Sequence, residues 1–335
     1  MKCGRRTLVG GATAMLGAAA LPRFAHAAEF NYKVATNLPP DHPSNVRLNE
    51  AAKNIFKETN GQLKLTVYPS SQLGTDTDTL AQVRVGAVEL FELSGVILST
   101  LLPVTAISGI GFAFPSYKQV WEAMDGQLGA YLRQQISKVG LVAFEKQFDN
   151  GYREITTSTK EIHSPADLKN LKIRVPPSPL WTSLFQALGA APATVNFSEV
   201  YSALQTHIVD GQENPLTLLV IAKLYEVQKY VAMTNHMWDG FWILGNAAAM
   251  QALPPKVREI LYKNVNEGAM KQRADLVKLS QTSENTLKSD GMIFTETKAE
   301  DFRSILHNSG WYADWKKKMG DEAWGLLEKY SGKLA

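Results

Sequence analysis

Several short segments of the chain alternate between apolar and polar positions, or are mostly apolar, as β-strands are. Phe30–Ala35 and Gln62–Tyr68 alternate and predict two strands that are buried on one face. Leu90–Ser94 and Leu141–Phe148, in which apolar residues predominate, predict two further strands that are short and buried.

Segments in which apolar residues recur with a helical period lie between and after these strands. They are Pro43–Thr59, Thr75–Val85, Pro179–Leu188 and Phe197–Gln205, with Ser198 as the expected N-cap of the last one. Strands that alternate with helices predict an α/β fold with a mostly parallel sheet. Ligands bind such sheets at the carboxyl ends of the strands.

A much longer helix is predicted at Pro255–Ser289, where Gly268 is the one possible break. This length is about three times that of an ordinary globular helix. Its apolar positions do not keep the seven-residue repeat of a coiled coil, so we expect a helix that spans two domains. These positions are Val257, Ile260, Leu261, Val265, Met270, Leu276 and Leu279.

The N-terminus has the pattern of an export signal. Lys2, Arg5 and Arg6 precede an apolar stretch, Leu8–Leu21, and Ala25–Ala27 reads as a cleavage site, so residues 1–27 are expected to be removed. The apolar stretch is shorter than the roughly 20 residues that cross a bilayer. The paired arginines also fit a twin-arginine signal, and the sequence leaves both export routes open.

Removal of this segment changes the charge of the chain. The full sequence has 35 Lys and Arg against 32 Asp and Glu and a pI of about 8.7. Four of the basic residues and no acid lie in the first 27 positions, so the mature chain has a formal charge of −1. That balance does not favour nucleic-acid binding. The single cysteine, Cys3, is also lost, and the remaining 308 residues are enough for two domains.

Two arginines and one asparagine supply the candidate binding chemistry. Arg153 follows the predicted strand Leu141–Phe148, and Arg174 stands where a short strand runs into the turn at Pro176. Asn214 lies 40 positions further on. A guanidinium group holds a carboxylate through two parallel charge-assisted hydrogen bonds. These residues therefore predict a pocket for a small organic acid.

The sequence gives little support to an enzyme. It contains no Gly-x-Ser-x-Gly, no His-Glu-x-x-His, no phosphate loop and no dinucleotide fingerprint. The five histidines of the mature chain have no metal-ligand spacing, so we expect neither a metal nor a cofactor. They are His42, His163, His207, His236 and His307. A secreted enzyme that acts on organic acids stays an alternative, because catalytic groups need only be close in space.

Motifs along nearly the whole mature chain resemble those of the solute-binding proteins of TRAP (tripartite ATP-independent periplasmic) transporters. Besides the export signal and the long helix, they are Ser71–Gly74 (SQLG), Asn150–Arg153 (NGYR), Leu171–Pro176 (LKIRVP) and Val209–Pro215 (VDGQENP). The resemblance implies a periplasmic receptor, a monomer, which delivers a small organic acid to TRAP membrane permease subunits. A co-receptor that presents its ligand to a membrane sensor is the alternative from another class.

The resemblance also implies a two-domain periplasmic binding protein fold that closes over its ligand like a hinge. Domain I is expected at residues 28–151 plus about 240–279, and domain II at 152–239 plus about 280–335. The long helix is expected to span both domains.

The resemblance assigns roles to single residues. It implies that Arg174 pairs with the ligand carboxylate and that Arg153 and Asn214 support the same group. Further candidates for the lining of the cleft are Asn37, Gln72, Ser94, Phe197, Trp238 and Phe241.

Each of these residues also has a structural interpretation. Arg153 is placed to form a surface ion pair with Glu154 or Asp149. Asn214 before a proline is typical of a turn. The aromatic residues Trp238 and Phe241 fit burial in the core as well as a cleft. A sugar acid, a keto or hydroxy acid, a dicarboxylate and an aromatic acid would all satisfy the arginines, and the aromatic residues favour a partly apolar one.

Overall fold

A computed structural model describes residues 28–335, so the predicted export signal lies outside the described residues. None of the helices within these residues is both long enough and apolar enough to cross a membrane. The described residues form ten strands. They are β1 (Phe30–Ala35), β2 (Leu63–Tyr68), β3 (Leu90–Ser94), β4 (Leu141–Ala143), β5 (Phe148–Thr157), β6 (Lys172–Val175), β7 (Ala191–Thr194), β8 (Gly211–Asn214), β9 (Tyr230–Asn246) and β10 (Ile293–Glu296).

The same residues form thirteen α-helices and four 3₁₀ helices. The α-helices are α1 (Pro43–Glu58), α2 (Asp76–Val85), α3 (Gly95–Leu98), α4 (Tyr117–Met124), α5 (Gln127–Ser137), α6 (Pro179–Ala187), α7 (Val200–Gln205), α8 (Leu216–Ile221), α9 (Ala247–Ala252), α10 (Pro255–Ser289), α11 (Ala299–Asn308), α12 (Trp311–Met319) and α13 (Asp321–Ser331). The 3₁₀ helices are Pro103–Gly109, Pro165–Leu168, Phe197–Glu199 and Leu224–Glu226.

The strands form one mixed sheet in the order β2-β1-β3-β9-β5-β8-β6-β7, and β4 and β10 also pair with β9. The prediction of a mostly parallel sheet is therefore only partly right, because five strand pairs are parallel and four are antiparallel. The 17-residue β9 runs antiparallel to β3, β4 and β5, and β5 is also antiparallel to β8. Parallel pairs occur toward the two ends of the sheet, in β1–β2, β1–β3, β6–β7 and β6–β8, and β10 also runs parallel to β9.

The segment predicted as one strand, Leu141–Phe148, is two strands. β4 ends at Ala143, and β5 begins only at Phe148. Between them the chain leaves the sheet with Glu145 exposed to solvent. Arg153 consequently lies in the middle of β5 and not beyond the end of a strand. The ten-residue β5 pairs along most of its length with β9, with two register shifts that bend the pair.

The helix at Pro255–Ser289 is confirmed as α10, unbroken at Gly268. Gly268 packs against the backbone of α1, where a β-carbon would lie 3.5 Å from the carbonyl oxygen of Arg47. Further along the helix, the side-chain amide of Gln272 exchanges two hydrogen bonds of 2.8 Å with the backbone of Asp149. α10 also contacts β5 and α8, so it touches helices of both predicted domains.

The helix predicted at Phe197–Gln205 has a different start. Phe197–Glu199 is a 3₁₀ turn preceded by Asn196, and the α-helix begins at Val200. Ser198 is therefore not an N-cap. The other predicted helices and strands are confirmed within one or two residues, and Thr75, predicted as the first residue of its helix, is instead the N-cap of α2.

Candidate functional site

Seven of the nine candidate residues line one narrow cavity where β5, β6, β8 and β9 come together. They are Asn37, Ser94, Arg153, Arg174, Phe197, Asn214 and Phe241. The cavity has a volume of about 20 Å³, which is room for about one water molecule. The structure therefore brings most of the predicted residues together in a closed cleft.

Arg174 lies in β6 and is almost completely buried, with 1% of its surface exposed. Its Nε donates a hydrogen bond of 2.8 Å to the backbone carbonyl of Val195. Among residues 28–335, no carboxylate lies within ion-pair distance of its guanidinium group. Burial lowers the pKa of Arg174 to about 9, although Glu213 and Asp76 oppose that shift at longer range. The terminal nitrogens of this charged and buried guanidinium group are thus suited to bind an anion.

Arg153, in contrast, is bound on several sides by the protein. Its Nε and Nη2 donate to the carboxylate of Glu213 at 2.5 and 2.8 Å, and Nη1 lies 3.2 Å from Asp239. Nη2 also donates to the side-chain oxygen of Asn214 at 3.0 Å. Burial opposes the charge of Arg153, but Glu213 and Asp239 outweigh burial and raise its pKa. The expected surface pair with Glu154 or Asp149 is not what the structure shows.

Asn214 ends β8, and the following Pro215 starts a helix. Its side-chain oxygen accepts from Arg153, and its amide nitrogen donates to Gln212 at 2.5 Å. The residue is therefore more than a turn former, because both ends of its amide hold neighbouring polar groups in place.

Glu213 is the partner of Arg153 that the sequence reasoning missed, although it lies inside the VDGQENP motif. The side chain is fully buried, and His236 Nε2 lies 3.2 Å from its Oε2. Burial alone would raise the pKa of Glu213, but the charge of Arg153 and the hydrogen bonds from His236 and Arg153 lower it to about 2. Glu213 is thus ionised at neutral pH.

Asp76 is a second missed residue, and it lines the cavity. It is the first residue of α2, two positions after the SQLG motif, and only 2% of it is exposed. Asn37 Nδ2 donates to its two carboxylate oxygens at 2.9 and 3.0 Å. Burial raises the pKa of Asp76 to about 6, and the hydrogen bond from Asn37 and the charge of Arg174 oppose the rise.

Asp239 is the third missed acid of the cavity, on β9. It accepts hydrogen bonds from Ser94 Oγ at 2.7 Å and from Asn150 Nδ2 at 3.0 Å, in addition to Arg153. Burial raises the pKa of Asp239, and Arg153 opposes the rise. Ser94 therefore faces the cavity as a group already oriented by an acid.

Two candidate residues lie outside the lining of this cavity. Trp238 packs edge-on against Trp121 at 5.4 Å between ring centroids, and its Nε1 donates to Asp149 at 2.9 Å. Alternation along β9 explains this position, because Trp238 points to the opposite face from Asp239. Gln72 is exposed to solvent. The indole that does line the cavity is that of Trp181, which the sequence reasoning did not select and which lies 4.9 Å from the guanidinium carbon of Arg153.

Within the described part of the chain, no group of three or more His, Cys, Asp or Glu side chains is arranged to hold a metal ion. The site thus consists of two guanidinium groups, three carboxylates, neutral amides and a serine, with aromatic and aliphatic side chains around them. This arrangement suits reversible binding of a small anion.

Residues 34–310 match the bacterial extracellular solute-binding protein family 7. The chain is 31% identical over 256 residues to the 2,3-diketo-L-gulonate-binding periplasmic protein YiaO of Escherichia coli, covering 76% of this chain and 77% of that one. It is 32% identical over 263 residues to the C4-dicarboxylate-binding periplasmic protein DctP of Rhodobacter capsulatus, covering 77% and 76%.

A solved TRAP periplasmic solute-binding protein from Polaromonas sp. JS666, bound to D-erythronate, has the same fold. The TM-score is 0.86 at 26% identity, over 91% of this chain and 100% of that chain. This likeness confirms the predicted periplasmic binding protein fold. Together with the match over residues 34–310, it shows that the chain belongs to family 7 of the bacterial extracellular solute-binding proteins, the solute-binding proteins of TRAP transporters.

Proposed function

We propose that the protein captures a small organic acid anion through its carboxylate and delivers it to a TRAP membrane permease. The observation that carries the proposal is the buried guanidinium of Arg174, which has no carboxylate within ion-pair distance among residues 28–335. A buried charge without a partner costs free energy. A ligand carboxylate would supply that partner, so binding recovers the cost.

The relatives support a carboxylate ligand but differ in its kind. The protein from Polaromonas holds D-erythronate, YiaO is named for 2,3-diketo-L-gulonate, and DctP of R. capsulatus is named for C4-dicarboxylates. We transfer to this chain the carboxylate that these compounds share, and Arg174 is the residue that we assign to it.

Capture requires opening, because a cavity of about 20 Å³ holds about one water molecule and no organic acid. We propose that residues 28–151 plus about 240–279 move as one domain, against 152–239 plus about 280–335 as the other. Opening would bend the β5–β9 pair, where two register shifts interrupt regular pairing. Closure excludes water and strengthens the pairing of Arg174 with the ligand.

We further propose that the protein acts as a monomer in the periplasm, after removal of residues 1–27, and returns its ligand chemically unchanged. Recovery of the bound acid from the denatured protein by mass spectrometry checks the last point. A modified compound in its place would favour the enzyme alternative.

The test of the proposal is the affinity of the Arg174→Ala variant. Screening the mature protein against organic acids by thermal shift identifies a stabilising acid, since stabilisation grows with ligand concentration over Kd. Isothermal titration should then show a loss of about 3–5 kcal/mol of binding free energy in the variant. Arg84→Ala, which removes an exposed arginine, is the matched control and should bind normally. Near-normal affinity of Arg174→Ala refutes the assignment.

A further inference from the structure

We infer that the ligand is a hydroxylated monocarboxylate, with hydroxyl groups along its chain and no second carboxylate. This inference rests on the proposed function. It adds the chemical nature of the rest of the ligand, beyond the carboxylate that Arg174 binds. It follows from the charges and hydrogen-bonding capacities of the cavity lining.

The cavity can pair with only one negative charge. Its cationic lining residues are Arg153 and Arg174. Glu213 and Asp239 already occupy the guanidinium of Arg153. Arg174 is left for the ligand, so a first carboxylate finds a partner and a second one does not.

Two buried acids would also repel a second carboxylate. Asp76 and Asp239 both line the cavity, and each is 2% exposed. Like charges at short range in a water-excluded site disfavour one another strongly. A dicarboxylate would therefore bind with one end against Arg174 and the other end close to an acid.

Buried side chains that line the cavity also offer hydrogen-bond acceptors to the ligand. Asn150 lines the cavity and is 3% exposed, and within residues 28–335 its side-chain oxygen has no hydrogen-bond partner. The carboxylate of Asp76 accepts from Asn37 and keeps lone pairs for further donors. Unpartnered buried acceptors cost free energy, which ligand hydroxyl groups would offset.

The positions of these acceptors favour several hydroxyl groups over a single ammonium group. Asp76 begins α2, whereas Asn150 and Asp239 lie side by side on the paired strands β5 and β9. An ammonium group concentrates its three donors on one nitrogen. Hydroxyl groups spread along a carbon chain can reach both walls.

The experiment compares acids of equal chain length on the mature wild-type protein by isothermal titration. D-erythronate and L-galactonate carry hydroxyl groups, succinate and adipate carry a second carboxylate, butyrate carries neither, and L-threonine carries an ammonium group. We expect at least one hydroxy acid to bind tenfold or more tightly than the dicarboxylate of its length, and D-erythronate to bind more tightly than butyrate and L-threonine.

The Asp76→Asn variant tests the cause. We expect its affinity for the hydroxy acid to be about 10-fold to 100-fold lower. The ratio of the affinities for the hydroxy acid and the dicarboxylate should also be smaller than in the wild type. Asp41→Asn, which changes an exposed acid, should leave the ranking unchanged. If Asp76→Asn does not fold, the ranking on the wild-type protein decides.

Different results would contradict the ligand class inferred here and the proposed function on which it rests. A preference for a dicarboxylate, for L-threonine or for butyrate overturns this inference, while carboxylate binding through Arg174 stands if Arg174→Ala abolishes it. If none of the carboxylates binds, the proposed function itself is contradicted.

Discussion

Arg153 and Arg174 have the same side chain and nearly the same burial, at 2% and 1% exposure, but opposite surroundings. Arg153 is held by Glu213, Asp239 and Asn214. Arg174 has one hydrogen bond, to the backbone of Val195, and no carboxylate within ion-pair distance in the described chain. The pKa of Arg153 is accordingly raised, and that of Arg174 is lowered to about 9.

The difference separates a stabilising residue from a binding residue. A buried arginine that the protein neutralises itself contributes to the fold and orients its neighbours. A buried arginine that the protein leaves without a partner costs stability, and that cost is recovered when an anion binds. Buried groups whose pKa is strongly shifted in this way are typical of functional sites.

The largest expected effect concerns Arg153. The Arg153→Met variant leaves Glu213 and Asp239 buried without their cation, so we expect the free energy of unfolding to fall by about 3–5 kcal/mol. Urea denaturation of the ligand-free protein at pH 7 measures it. Arg84→Met serves as the control, and a loss below about 1 kcal/mol would show that Arg153 is not a structural residue.

The reverse sign is expected for Arg174. The Arg174→Met variant removes a buried charge that the ligand-free protein does not compensate, so we expect unfolding to cost about 2–4 kcal/mol more than in the wild type. The same denaturation experiment applies. A marked destabilisation of the ligand-free protein would remove the contrast between the two arginines.

The acids beside the two arginines should respond oppositely to pH. Glu213 has a pKa lowered to about 2, so its contribution to stability is present above its unfolded pKa and is lost as the pH falls toward 2. Asp76 has a pKa raised to about 6, so its ionisation lowers stability as the pH rises from about 4 through 6.

A smaller effect therefore follows for Asp76→Asn. The variant should exceed the wild type in unfolding free energy by about 1–2 kcal/mol at pH 7 and match it near pH 4. Denaturation midpoints at several pH values measure the difference, with Asp41→Asn as the control. A difference that is the same at pH 4 and pH 7 would show that the ionisation of Asp76 is not its source.

Local patterns predicted the local structure of this chain well. The 35 residues of α10 and the strands β1 and β2 follow from periodicity, because each pattern is contained within the segment that it describes. The direction of β9 in the sheet does not follow, since pairing with β3, β4 and β5 depends on contacts far apart in sequence. The prediction of a mostly parallel sheet for that reason missed the antiparallel pairs at its centre.

The site divides in the same way. The motifs predicted Arg174 and Asn214 as site residues. They did not predict that Arg153 pairs with Glu213 and Asp239, which lie 60 and 86 positions further along the chain. The choice of Trp238 over Trp181 has a similar cause. Which aromatic residue faces the cavity depends on strand register and helix packing. Neither can be predicted from the composition of a short segment.

A crystal structure of the mature protein grown with D-erythronate would show which residues hold the ligand carboxylate. We predict that both carboxylate oxygens of the ligand lie about 2.7–2.9 Å from the terminal nitrogens of Arg174, with the domains closed over it. A bound acid whose carboxylate lies elsewhere in the cleft, with Arg174 left unpaired, would contradict this prediction.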